Sequence, residues 1–218
     1  MDPIPEGLCA EPASALYMPR LPLTLPAGIT GEELLLRMKP HNMIIRDAEI
    51  RDRESVRSLH MSAFPIGEGD LVAGLADDLI SNITEPCTLS LVAVDNNEII
   101  GNVAYSPVFI AEKPDFHGYI LAPLAVKPEC QGNGVGSQLV DAGIKRLRSM
   151  NVTILFVYGD PRYYERFGFQ AELATHFITP YPLEWPFGWQ ALLLDEIEEP
   201  GAAVNIKCVK SLNNPKLW

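Results

Sequence analysis

The chain has 218 residues, 47% hydrophobic and 21% charged, a composition that predicts a folded protein with one sizeable core and excludes wholesale disorder or a membrane class. A formal net charge of -11 argues against nucleic acid as a partner, because phosphate-backbone binding rests on lysine and arginine. Cys9, Cys87, Cys130 and Cys208 lie far apart, without the spacing of a zinc site or a disulfide framework, so they read as free thiols in a reducing compartment and no metal is expected.

The first residues, MDPIPEG, are acidic where a signal peptide is basic, and ALYMPRLPLTLPAGI is interrupted by prolines. No export and no membrane contact are expected, which leaves the cytoplasm. Residues 1–42 hold Pro3, Pro5, Pro12, Pro19, Pro22, Pro26 and Pro40, which bars long regular elements apart from a short helix at GEELLLRM, so this stretch reads as an N-terminal extension. From Met43 onward the pattern is regular and defines a domain over 43–218. MIIR predicts a strand; AEIRDRESVRSLHMSAF and GDLVAGLADDLIS carry apolar residues at three- and four-residue spacing and predict two helices. TLSLVAVD and EIIGNVAYSPVFI predict a hairpin turning at Asn96-Asn97, and GYILAPLAV a further strand. The helix that follows has Leu139, Val140, Ile144 and Leu147 on one face, with Gln138, Asp141, Lys145 and Arg148 on the other. TILFVYG then reads as a buried strand, PRYYERF as a short helix and GWQALLLDEI as a strand, with strand character near Phe169 and in AAVNIKCV. The order β-α-α-β-β-β-α-β-α-β predicts a mixed α/β sheet, with a parallel crossover between GYILAPLAV and TILFVYG.

Gly132, Gly134 and Gly136 stand at the carboxyl end of one crossover strand and at the start of a helix, where ligands of such sheets bind. Glycines permit a tight turn with convergent amides, and the helix adds free N–H groups and a partial positive charge, which suits a phosphate or pyrophosphate. A Walker loop needs a lysine that is absent here, since Ser137 and Gln138 stand where it would end. A dinucleotide fingerprint needs its third glycine one residue later.

The remaining pattern, Gln131-Gly-x-Gly-x-Gly136 after Leu124-Ala-Val, followed downstream by DPRYYERFGF (160–169), resembles the GNAT superfamily of acyl-CoA-dependent N-acetyltransferases. The match runs from about Met43 to Leu194 and is most similar to a bacterial branch of uncharacterised N-acetyltransferases. The resemblance implies a GNAT fold, a mixed and splayed central sheet flanked by helices on both faces, and acetyl-CoA as co-substrate. It implies that Gln131, Gly132, Asn133, Gly134, Val135, Gly136 and Ser137 hold the CoA pyrophosphate, and that Leu124, Ala125 and Val126 pair with pantetheine like an extra strand.

The implied reaction is direct attack of a primary amine on the thioester, with Tyr164, the tyrosine directly before Glu165, protonating the thiolate as general acid and Tyr163 as its neighbour. The acceptor is a small-molecule amine or a protein amine, and a homodimer is allowed for. A different acyl group, or a non-catalytic acyl-CoA-binding module, stays open. His117, Glu112 and Asp115 are candidates to border the acceptor cleft, although a solvated loop is the commoner fate of such charges. His60 reads as a helix residue touching core, and Asp160 as a cap for the helix beginning at Pro161. Cys130 lacks a histidine partner and is not expected to be a nucleophile. WPFGW (185–189) reads as a structural corner ahead of an aromatic wall of the acceptor pocket.

Overall fold

The computed structural model describes residues 43–111, 113–196 and 201–218. The expected extension over 1–42 with its short helix, and Glu112, lie outside the described residues.

The strands are β1 (Ile44–Asp47), β2 (Leu89–Asp95), β3 (Glu98–Ile110), β4 (Lys113–Val126), β5 (Ile154–Tyr158), β6 (Phe177–Ile178), β7 (Trp189–Leu193) and β8 (Val204–Cys208). The helices are α1 (Arg53–Ala63), α2 (Gly69–Ser81), α3 (Val135–Ser149) and α4 (Pro161–Tyr164). The sheet runs β1-β2-β3-β4-β5-β7, with β8 pairing antiparallel to the end of β3 and parallel to β6. All pairs along the main path are antiparallel except β4–β5, the parallel pair expected across the glycine turn. Alternation along the central strands divides the core. Ile120, Ala122 and Phe156 face α1, α2 and the C-terminal segment, whereas Leu121, Leu124 and Leu155 face α3 and α4.

Several boundaries differ from expectation. α1 starts at Arg53 rather than Ala48, because the Asp52 carboxylate accepts from the Glu49 amide at 2.8 Å and from Arg46 at 2.6 and 2.9 Å. These bonds hold a short 3-10 turn, an alternative to helix that a local side-chain acceptor offers the backbone. β4 begins at Lys113, not Gly118: its polar first residues pair with the end of β3, from Ile110↔Lys113 to Val108↔Gly118, without burying an alternating face. At the β2–β3 turn Asn96 and Asn97 have φ of 48° and 65°, the left-handed pair that suits a tight hairpin.

The sheet opens where β4 parts from β5. Their pairing runs from Gly118↔Ile154 to Leu121↔Val157 and ends there, while β4 continues to Val126 against β3 alone. At the divergence the register of β4 against β3 passes from Leu121↔Tyr105 to Leu124↔Val103, so Ala122 and Pro123 form a bulge, with a cis peptide bond between them.

On the α1 side of β3, His60 is fully buried and its Nε2 lies 2.9 Å from Asn102 Oδ1. The Asn102 amide nitrogen donates to Leu91 O at 2.9 Å and to Ser90 Oγ at 3.1 Å, so the oxygen faces His60 and Nε2 carries the proton. Nδ1 is buried without a partner among the described residues, and burial lowers the imidazole pKa from 6.5 to about 4. Between these values the unfolded chain binds a proton that the folded chain refuses, so stability falls as pH drops from about 6.5 to about 4. At 1.36 kcal/mol per pKa unit the loss approaches ~3 kcal/mol. Urea midpoints measured from pH 7 to pH 4 should show this slope, and His60→Gln should flatten it. An equal slope in both proteins would assign the acid sensitivity elsewhere.

Candidate active site

Two of the three glycines need positive φ, Gly132 at +76° and Gly134 at +79°. Gly136 is helical and small for another reason: a Cβ there would stand 2.6 Å from the Tyr163 hydroxyl. The chain thus turns through Gly134 into the 15-residue α3, presenting the open first-turn N–H groups of that helix. Gln131 braces the turn, its Nε2 donating to Val126 O at 3.0 Å.

This turn forms one wall of a cleft of about 160 Å³. Of the sequence-predicted residues, Val126, Gln131, Gly132, Gly134, Val135, Gly136 and Ser137 line it, joined by Cys130, Tyr163 and Arg166. Leu124 and Ala125 lie buried on the strand leading into it, on the stretch that β5 has left, and Asn133 is exposed on the turn. Arg166 was not singled out by the sequence, and Tyr163 only as a neighbour. The signal was available, since both belong to YYERF, but contact with the glycine turn depends on how α4 docks.

Tyr163 and Tyr164 sit edge to face at 5.0 Å between ring centroids, yet address different places. Tyr163 reaches Gly136, with the Arg166 guanidinium 4.8 Å over its ring. Burial raises its phenol, partly offset by the nearby Ser137 hydroxyl and by Arg166; the Ser137 contact lacks hydrogen-bond geometry, so among the described residues the Tyr163 oxygen is buried without a partner. Tyr164 is 2% exposed and packs on Phe169 and on Gly159, just past β5, where an added Cβ would meet its Cε2 at 2.5 Å. Burial holds its phenol pKa far above the usual tyrosine range, with the neighbouring Tyr163 adding to the effect. It therefore stays protonated across physiological pH.

Asp160 caps α4 as expected, accepting from the Arg162 amide at 3.0 Å. Asp115 and His117 lie exposed at the opposite end of β4 from the glycine turn, within the strand rather than before it. Burial also raises the Cys130 thiol, which keeps it protonated and weakly nucleophilic. In WPFGW, Trp189 stacks on Phe156 at 5.0 Å, Gly188 packs on the Tyr158 ring, and the Trp185 amide donates to the Tyr158 hydroxyl at 2.9 Å. The corner is thus pinned to the end of β5, while Phe187 is 61% exposed. Among the described residues no group of three or more His, Cys, Asp or Glu could hold a metal ion, and no helix is long and apolar enough to cross a membrane.

An open mixed sheet with a glycine turn where two parallel strands part is the architecture that the GNAT resemblance implies, and comparison with known proteins agrees. The profile of the acetyltransferase (GNAT) family matches residues 53–169, and the chain belongs to that family as an N-acetyltransferase. It is 35% identical over 149 residues to the uncharacterized N-acetyltransferase YjhQ of Escherichia coli K12, covering 67% of this chain and 80% of that one. The crystal structure of the GNAT family N-acetyltransferase YhbS from Escherichia coli in complex with CoA superposes with a TM-score of 0.69 at 28% identity, over 81% of this chain and 94% of that one. A GNAT family acetyltransferase from Brucella melitensis in complex with acetyl-CoA gives 0.59 at 29% identity, over 75% and 95%.

Proposed function

We propose that the protein transfers an acetyl group from acetyl-CoA to a primary amine by direct attack. The observation that carries this reading is the continuity of the opened strand with the cleft: β4 is released from β5 after Leu121, runs through Leu124, Ala125 and Val126, and ends at the glycine turn. A pantetheine arm can pair with the released strand while its diphosphate meets the amides of 131–137. The similar YhbS and Brucella proteins form complexes with CoA and acetyl-CoA, which supports an acyl-CoA as the ligand.

The neutral amine nitrogen bonds to the thioester carbonyl carbon, the C–S bond breaks, the departing thiolate takes the Tyr164 proton, and the proton that the nitrogen loses to water is returned from solvent to Tyr164. The oxyanion is met by a strand amide. Pro123 has no N–H, so the first amide beyond the bulge is that of Leu124. Tyr164 is not among the residues lining the cleft of the glycine turn; it lies buried beside Gly159 at the end of β5, and the acid role assigns the thioester to that side of the opened sheet. The net charge of -11 favours a cationic acceptor, such as a small amine, an N-terminal amine or a protein lysine, in a cytoplasmic setting.

Incubation with acetyl-CoA and an amine library, followed through free thiol, tests the reading. Acceptor-dependent thiol release is expected; CoA binding without release would leave a CoA-binding module instead.

A further inference from the structure

The geometry points to a second jaw of the donor site, built by Tyr163 and Arg166 opposite the glycine turn, that makes affinity depend on the donor's diphosphate. This rests on the reading of the cleft as the CoA site.

Three observations meet here. Tyr163 is 9% exposed, and its hydroxyl is buried with no hydrogen-bond partner among the described residues, the Ser137 hydroxyl being only near, although the residue lines the cleft and lies against Gly136. A buried phenol left unpaired is costly, and a phosphate oxygen at the start of α3 is the acceptor that such a donor lacks. Second, Arg166 is the one charged side chain among the described residues that line the cleft. It makes no ion pair among the described residues, only a long 3.4 Å contact to the Arg162 carbonyl, and rests over the Tyr163 ring. Third, the lysine beside the turn is already engaged: Lys127 Nζ lies 2.6 Å from Glu98 and 2.9 Å from Glu129. In a chain of net charge -11, the turn therefore offers amides, and the positive charge for a polyanionic donor comes from α4's following turn.

Tyr163→Phe keeps the ring and its cation–π contact and removes one donor; Arg166→Ala removes the charge; Arg166→Lys returns a charge without the planar fork. Calorimetric Kd values for CoA and for pantetheine, which lacks the phosphates, separate the roles without an acceptor. Arg166→Ala should lower the CoA-to-pantetheine affinity ratio roughly tenfold and flatten the salt dependence of CoA binding, with partial recovery in Arg166→Lys. Tyr163→Phe should lower the ratio about fivefold. A ratio within twofold of wild type in both variants, or equal losses for both ligands, would overturn the second jaw. Failure of the wild-type protein to bind CoA at all would instead overturn the donor assignment on which it rests.

Discussion

Tyr164→Phe is expected to reduce kcat by about 100-fold or more, the usual weight of a positioned general acid, with CoA affinity retained. The ring stays, so packing against Phe169, Tyr163 and Gly159 persists and only the hydroxyl is lost. Because burial raises the phenol far above its ordinary pKa, wild-type turnover should show no loss from Tyr164 ionisation at or below pH about 10. Steady-state kinetics beside a CoA binding isotherm checks both halves. A kcat within threefold of wild type would remove the acid role, and loss of CoA affinity would show that Tyr164 acts through the fold.

Gly134→Val should weaken CoA binding by about 100-fold, nearly 3 kcal/mol at 1.4 per decade. At φ +79° a β-branched side chain is strained by about 1–3 kcal/mol, and the turn can relieve that only by rotating its amides away from the cleft. An added Cβ meets little, the nearest atom being the Gln138 side-chain nitrogen at 3.9 Å, so the damage is conformational and confined to the turn. Thermal melting should change far less than affinity. Intact CoA affinity in this variant would contradict the phosphate assignment of the glycine turn.

The glycine turn was legible because its demands are local: left-handed φ at Gly132 and Gly134 and a helix beginning at once can be read from adjacent residues. The third glycine was legible as a glycine but not in its purpose. Gly136 is small because Tyr163, from a helix 25 residues further on, comes to rest on it. Likewise His60 reads as an ordinary helix residue, and its acid sensitivity arises only when Asn102 and burial meet it across the sheet. Asp115 and His117 read as a connection because an exposed hairpin arm buries no alternating face; hydrogen bonding to β3 makes it strand.

By itself, the sequence determined the order of the strands and helices apart from the two-residue β6, and the parallel pair flanking α3, since periodicity, glycine placement and chain connectivity are properties of neighbouring residues. The tertiary structure decided where β4 leaves β5, which released strand faces the cleft, and that Tyr163 lies at the glycine turn while Tyr164 lies beside the end of β5. Successive residues on a helical turn point roughly 100° apart, so which neighbour each of two adjacent tyrosines meets, Gly136 for Tyr163 and Gly159 for Tyr164, is set by how α4 docks. Docking is a sum of long-range contacts, and no local pattern encodes it.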